Sequence, residues 1–407
     1  MERAVTREDG PMRIAFVASA IPRRCGIATF TGDLLAAVRI ADPTVRAVQV
    51  AIDEPSAARA YGSEVRWRVR QEDWRTYRDA ARAVNASNVD IVNVQHEFGL
   101  YGQWHDGLYD DHLAVFLEHL TKPVVITLHT VPPRPEPWAL ETIRNASERS
   151  DVVVVMGHTA ARLLRDVYGI AKQPAIIEHG MPAIEPHGRV RFKRQFGVED
   201  RQIVSTFGLV DPRKGLEFVI EAMPAVLAAQ PSALYLIVGQ THPELLKKDG
   251  EAYRNSLVET ARRVGVADHV KFANEYLTQR QIVDYLLATD VYVTPYLDPN
   301  QITSGTLAYA LGAGKAIVST PYLHAREVLS EGRGILVPFR DSEEIGLAVN
   351  RILGDPVLKQ SLEQRAFAYG REMAWPNIGR RVLALMRDVL DARAAVTEEA
   401  QEPVLSS

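Results

Sequence analysis

Three segments of the sequence gather residues that could hold an anion, each where a short apolar run gives way to a helix-period stretch. Ile21–Ala28 (IPRRCGIA) carries Arg23, Arg24 and Gly26 and opens a helix. A glycine there lets a ligand approach the backbone, and a helix N-terminus favours negative charge. Phe207–Gly215 (FGLVDPRKG) puts Arg213 and Lys214 at a helix start. Cations there oppose the helix dipole, and an anionic ligand beside the same helix end would reverse that penalty. Gln301–Gly314 (QITSGTLAYALGAG) brings Thr303, Ser304, Gly305 and Thr306 to the start of a small-residue helix. Hydroxyls and free N–H groups converging there suit a phosphate or the hydroxyls of a sugar. Each segment also has a plain reading: a solvated βα turn, a solvated Arg–Lys pair, an ordinary N-cap. The repetition of one chemistry at three strand ends favours the ligand reading.

A fourth set carries histidines. Asn93–Gly102 (NVQHEFGLYG) and Leu128–Val131 (LHTV) place His96 and His129 just past a strand. His96 and Glu97 are neighbours in sequence, so on a strand they point to opposite faces, which argues against a coupled acid–base pair. A lone histidine is more often structural than catalytic. His, Asp and Glu fall at no metal-ligand spacing, and neither a GxSxG elbow nor a P-loop is present.

The elements that must position these residues read as an α/β chain. A length of 407 residues makes two domains the expectation. Strands are expected at Arg13–Ser19, Val48–Ile52, Asp90–Val94, Pro123–Leu128, Asp151–Met156 and Pro174–Glu178. The helices expected among them are Ala28–Val38, Asp73–Asn85, Asp106–His119 and Thr159–Tyr168. Met181–Val198 breaks the rhythm with Pro182, Pro186 and Gly188 and reads as an interdomain connection. A second series places strands at Gln202–Phe207, Ala233–Val238, His269–Ala273, Asp290–Pro295, Lys315–Ser319 and Gly334–Val337, again with helices between. β-branched runs without alternation suggest strands buried on both faces, and the β/α order predicts doubly wound parallel sheets. Ligands of such sheets sit outside the strand C-terminal ends, so the expected site is a cleft onto which both sheets face.

Composition removes several classes. The net charge of −4 gives no polyanion-binding balance, so nucleic acid is not the expected partner. Cys25 is the single cysteine, which excludes an intramolecular disulfide and a cysteine-rich zinc site and fits a reducing, cytoplasmic setting. The N-terminal MERAVTREDGPMR has no apolar core of a signal peptide, and no apolar run approaches the roughly 20 residues that span a bilayer.

Taken together the segments resemble the retaining glycosyltransferases of family 4 (group 1), over roughly Met12 to Leu390. FGLVDPRKGLEFVIEA resembles that family's diphosphate segment, GTLAYALGAGKAIVST its donor helix and following strand, and GRGILVPFRD the stretch beyond. MAWPNIGRRVLALM resembles its C-terminal crossover helix. The resemblance implies the GT-B fold: two Rossmann-like, doubly wound parallel-sheet domains facing across a cleft. It places an acceptor-side domain at 1–190, a donor-binding domain at 191–370 and a crossover helix at 371–395 returning to the first domain; the polar residues 397–407 read as a flexible tail. It implies that Gly26 lies in the N-terminal donor-phosphate loop, that His129 stands beside the anomeric centre, and that Lys214 binds the diphosphate. Thr303, Ser304, Gly305 and Thr306 would contact the donor, and Gln95, His96, Glu97, Tyr101 and Gly102 would form the acceptor side. The family's two glutamates, eight apart, fall on Gln301 and Tyr309, and its arginine before the lysine falls on Leu209, with Arg213 as the available substitute. Tyr309 cannot accept a hydrogen bond as a carboxylate does. The implied activity is metal-independent transfer of a sugar from a nucleotide-sugar donor to a hydroxyl acceptor, with peripheral membrane contact allowed. A sugar 1-phosphate phosphorylase, a nucleotide-sugar epimerase and a non-catalytic nucleotide-sugar binding protein are the alternatives.

Overall fold

The computed structural model describes residues 10–54 and 59–401. The chain divides into two compact units, one of Met1–Gly180 with Trp375–Ser407 and one of Met181–Ala374.

Unit 1 is built on a seven-stranded parallel sheet. Its elements run β1 (Arg13–Ala18), α1 (Gly26–Ala41), β2 (Arg46–Asp53), β3 (Val65–Arg70), α2 (Trp74–Asn85) and β4 (Ile91–His96). A hairpin of β5 (Gly102–His105) and β6 (Leu108–Asp111) follows, then α3 (Leu113–His119), β7 (Val124–Leu128), α4 (Pro137–Glu148), β8 (Val152–Val155), α5 (His158–Asp166) and β9 (Ala175–Ile176). The strand order is β3-β2-β1-β4-β7-β8-β9, so the direction of winding reverses between β1 and β4. Every residue of β4 and of β7 is buried, as strands covered on both faces require.

Unit 2 begins with α6 (Arg189–Gln195) and repeats the plan: β10 (Gln202–Phe207), α7 (Leu216–Ala229), β11 (Ala233–Val238), α8 (Pro243–Asp249), α9 (Ala252–Arg263), β12 (Val270–Ala273), α10 (Gln279–Ala288) and β13 (Val291–Thr294). It continues with α11 (Gly305–Gly312), β14 (Ala316–Ser319), α12 (Leu323–Val328), β15 (Ile335–Leu336), α13 (Ser342–Gly354) and α14 (Pro356–Gly370). Its six strands are parallel in the order β12-β11-β10-β13-β14-β15, with the reversal between β10 and β13. Local signals fix the helix starts: Asp341 and Asp355 accept from the first-turn amides of α13 and α14, and Thr278 with Gln281 forms a capping box on α10.

The last helix, α15 (Trp375–Gln401), belongs to unit 1. Ile378, Val382, Leu383 and Met386 pack with Phe30, Leu34, Leu35 and Val38 of α1. Gly379 permits the close crossing, since a Cβ there would stand 2.4 Å from the carbonyl oxygen of Ala37.

The structure departs from the sequence reading in several places. Asp106–His119 is not one helix but a hairpin strand followed by the shorter α3. Asp106 (φ 48°) and Gly107 (φ 82°) supply the two left-handed residues of a tight turn, the signature of an Asp-Gly hairpin. Met181–Val198 is not a bare connection: it carries α6, whose buried Lys193 reaches Asp290 at 2.5 Å and the carbonyl of Arg201 at 2.8 Å. The unit boundary lies at Gly180/Met181, ten residues before the expected one, and the return at Ala374/Trp375 rather than 370/371. Of the expected flexible tail, residues up to Gln401 continue α15, and 402–407 lie outside the described residues.

Candidate functional site

In unit 2 a polar cluster forms at the sheet's winding reversal, where an open α/β sheet offers its ligand crevice. β10 ends at Phe207 and Gly208 follows with φ 116°, a conformation that L side chains rarely adopt. A Cβ on Gly208 would stand 2.8 Å from Lys214 Nζ and 3.1 Å from the Thr306 methyl group, so the missing side chain is what leaves room for both. Lys214 closes a 3₁₀ turn (Pro212–Lys214) whose first amides are capped by Asp211. Its ammonium donates to the Tyr296 hydroxyl at 2.9 Å. That hydroxyl lies 2.7 Å from Thr306 Oγ1, which lies 3.1 Å from Ser304 Oγ. Ser304 caps α11, accepting from the Leu307 amide at 3.3 Å. Burial pushes the Tyr296 phenol up, but Lys214 and the Thr306 and Ser304 hydroxyls outweigh it and hold the group below its ordinary value. The Thr303 hydroxyl oxygen is buried without a protein partner, a cost that a ligand can offset. One half-buried cation, three hydroxyls and a helix start thus converge on a spot kept clear by a glycine. This chemistry suits an anion with adjoining hydroxyls.

Unit 1 carries a different cluster, on the adjacent ends of β4 and β7. His129 Nε2 lies 2.8 Å from Gln95 Oε1, and the Gln95 amide nitrogen is turned toward Asn93 Oδ1 and Thr127 Oγ1. With that amide orientation Nε2 carries the imidazole proton and Nδ1 is the acceptor. Phe30 meets His129 edge-on at 4.7 Å and His179 at 5.0 Å between ring centroids. Burial, with small repulsions from His179 and His96, pushes His129 down to about 3. Burial alone takes His96 down to about 4, and burial dominates at His179, also about 4. All three rings are therefore neutral at physiological pH. Glu97 accepts from the Thr130 hydroxyl at 2.9 Å and the Phe98 amide at 2.8 Å. Burial nonetheless pushes Glu97 up to about 7.

Two family models match the chain: "Glycosyltransferase Family 4" over residues 26–183 and "Glycosyl transferases group 1" over residues 201–355. The chain belongs to the family 4, group 1 glycosyltransferases. Among its relatives is the GDP-mannose-dependent alpha-(1-6)-phosphatidylinositol monomannoside mannosyltransferase of Mycolicibacterium smegmatis. That enzyme is 26% identical over 281 residues, covering 64% of this chain and 68% of the relative. The D-inositol 3-phosphate glycosyltransferase of Kribbella flavida is 24% identical over 302 residues, 67% of each chain. The crystal structure of Anabaena HepE in complex with UDP superposes with a TM-score of 0.72 at 18% identity, covering 93% of this chain and 100% of that one. Sucrose-phosphate synthase from Thermosynechococcus elongatus gives the same TM-score at 17% identity, covering 94% and 100%. The fold is thus GT-B. None of the helices described is long and apolar enough to cross a membrane.

Of the residues this glycosyltransferase was expected to use, Lys214, Ser304 and Thr306 are brought together, with Gly305 opening α11 and Thr303 before it. Gln301 braces the loop instead, donating to the Thr303 carbonyl at 2.9 Å and accepting from the His324 amide at 3.0 Å through its own carbonyl. Arg213 does not join Lys214: its guanidinium makes a two-point pair with Asp211, at 2.9 and 2.7 Å. Tyr309 is a core residue of unit 2, with its ring against Phe207 and its hydroxyl 3.1 Å from the Gln279 amide. Gly26 is the first residue of α1, where Cys25 provides the cap and a Cβ would meet nothing within 4 Å. Arg23 of the same loop is spent on Glu54 at 3.2 Å, the Ile52 carbonyl and Gln71.

Of the residues expected on the acceptor side, Gln95 and His96 are buried and Glu97 is half-buried. Tyr101 is a strut, its hydroxyl 2.8 Å from the carbonyls of Val17 and Gln95. Gly102 starts the hairpin where a Cβ would collide with the Asp110 carbonyl. The sequence reading missed Gly208, Tyr296 and His179. A glycine directly after a strand could have flagged Gly208. Nothing local could have flagged His179, fifty residues beyond His129.

Proposed function

We propose that the chain transfers a hexose from a nucleoside diphosphate sugar to a hydroxyl acceptor, with retention of configuration at the anomeric carbon. The observation that carries this reading is the Lys214–Tyr296–Thr306–Ser304 relay around Gly208. When the bond from the sugar's C1 to the diphosphate breaks, the electron pair stays on the phosphate oxygen and negative charge grows there. A fixed ammonium and oriented dipoles stabilise that charge without having to reorganise. Relatives that use GDP-mannose, and a GT-B neighbour that binds UDP, support a nucleoside diphosphate as the leaving group. His129, neutral and anchored by Gln95, has the role of a hydrogen-bonding partner to the donor sugar rather than a titrating acid or base. Glu97 and its neighbours stand as the acceptor-side groups.

The test is calorimetry of the wild type and Lys214→Ala with UDP, GDP, the parent nucleosides and inorganic phosphate. A charge-assisted hydrogen bond contributes roughly 1.5–3 kcal/mol, so diphosphate binding should weaken about ten- to hundredfold while nucleoside binding holds. Equal loss for both would assign Lys214 a structural role. Binding of phosphate alone, without either nucleotide, would turn the reading toward a sugar 1-phosphate phosphorylase.

A further inference from the structure

The β5–β6 hairpin of unit 1 serves no core. Trp104 is 52% exposed and Leu108 68% exposed. Trp104 is nevertheless held in place. Its ring meets Trp138 edge-on at 4.9 Å and tilts against Tyr109 at 5.1 Å. Trp138, at the start of α4, also meets Phe98 at 5.1 Å, and Phe98 adjoins Glu97. The Tyr109 hydroxyl lies 3.2 Å from the Tyr101 amide, which ties the hairpin back to the loop after β4. The result is one exposed indole backed by two half-buried rings and locked by ring–ring contacts.

Charge decides what such a face can take. Within Tyr101–Asp111, Asp106 and Asp110 are exposed, Asp111 is turned inward to accept from the Leu113 amide, and there is no lysine or arginine. An anionic lipid surface is attracted by clustered cations and would be repelled by this hairpin. The surface carries rings, with one aliphatic side chain, and polar acceptors at the rim. Rings of this kind offer a flat apolar face and leave hydroxyl-bonding groups around the edge. A pyranose matches both features, its C–H face on the indole and its hydroxyls toward the carboxylates. We infer that Trp104, backed by Trp138 and Tyr109, forms a stacking platform for a neutral carbohydrate acceptor. This rests on the glycosyltransfer reading above and names the acceptor class for it: a saccharide, rather than a lipid met at a membrane surface.

The test uses the full chain, fluorescently labelled, on an array of neutral oligosaccharides, as wild type, Trp104→Ala and Trp104→Phe. The wild type should be captured by a subset of the glycans. Trp104→Ala should lower that capture about tenfold, and Trp104→Phe should keep most of it, since a ring face remains. Trp104 is half in solvent, and circular dichroism and a thermal melt matching the wild type check that the variants fold. The inference is overturned by an array that captures nothing, by capture unchanged in Trp104→Ala, or by Trp104-dependent binding to phosphatidylinositol-containing vesicles instead. Calorimetry with UDP and GDP on the same wild-type sample separates the two readings. Nucleotide binding without glycan capture ends the platform and leaves the donor site standing, while absence of nucleotide binding removes the glycosyltransfer reading itself.

Discussion

Units 1 and 2 share a sheet plan, yet their strand ends carry opposite electrostatics. In unit 2 a lysine is held half-buried against a phenol and two hydroxyls, with a glycine keeping its front clear. In unit 1 burial works against charge: His96, His129 and His179 are pushed far below their ordinary value and Glu97 is pushed up to about 7. Burial does both, because a low-dielectric site disfavours whichever form is charged. A site that keeps its charge suits a diphosphate, and a site that gives it up suits sugar hydroxyls. One architecture therefore supplies two binding chemistries, distinguished by whether a counter-charge has been allowed to remain.

The contrast breaks most sharply at Gly208. Gly208→Ala adds a Cβ 2.8 Å from Lys214 Nζ at a φ of 116°, so both the ammonium and the loop must move. UDP and GDP binding should fall by roughly a hundredfold or more, which combines the lost ion contact with a strain of about 1–3 kcal/mol. Unchanged calorimetric affinity would mean that the anion binds elsewhere. Lys214→Ala comes next, with its ten- to hundredfold loss confined to the diphosphate. His129→Ala should lower kcat about tenfold while donor affinity stays within a factor of two, the effect of a neutral hydrogen bond. Steady-state kinetics beside calorimetry reads that split, and equal loss in both would place His129 in ground-state binding instead.

Smaller effects sharpen the same contrast. Thr303→Val removes a buried hydroxyl that has no protein partner. The free protein should gain about 1 kcal/mol in denaturant unfolding, and donor affinity should fall about fivefold. A loss of stability instead would show that the hydroxyl is already satisfied. Glu97 gives a shift of comparable size, confined to one pH range and with a defined sign. Its pKa in the folded state, about 7, lies above the ordinary 4.5, so the native state holds a proton that the unfolded chain releases. Its contribution therefore weakens as pH rises from about 4.5 to 7. Glu97→Gln removes that slope and should be more stable than the wild type at pH 8 by roughly 1–2 kcal/mol, with little difference at pH 5. Parallel urea curves at the two pH values would contradict the placement of Glu97.

Much of this molecule could be read before its structure. Buried parallel strands announce themselves as unbroken β-branched runs, and β11 falls at Ala233–Val238 as expected. Lys214 and the Ser304 cap were legible because each follows a strand and starts a helix. What escaped depends on distance. Tyr296 joins Lys214 across 82 positions, and His179 reaches Phe30 across most of unit 1. The Arg213 pairing was not visible because its partner Asp211 is two residues away, a pairing that a loop makes and a periodic pattern does not show. For Tyr309 the family pattern gave the position but not the burial of its ring. The hairpin was read as helix although Asp106-Gly107 is a turn signal, because the apolar residues after it carry a genuine helical period into α3.

The return of the chain to unit 1 has a consequence for how the protein is made. Unit 2 leaves and closes at one point, with the Met181 amide bonded to the Met373 carbonyl at 3.0 Å. Unit 1 is complete only when α15 has been added, since α15 covers the apolar side of α1. A ribosome adding roughly 5–20 residues per second needs on the order of 10–40 s to pass from Met181 to Ala374. Throughout that interval Phe30, Leu34 and Val38 lack the helix that covers them. The N-terminal unit therefore leaves the ribosome with part of its apolar face uncovered, whereas unit 2 is contiguous in sequence.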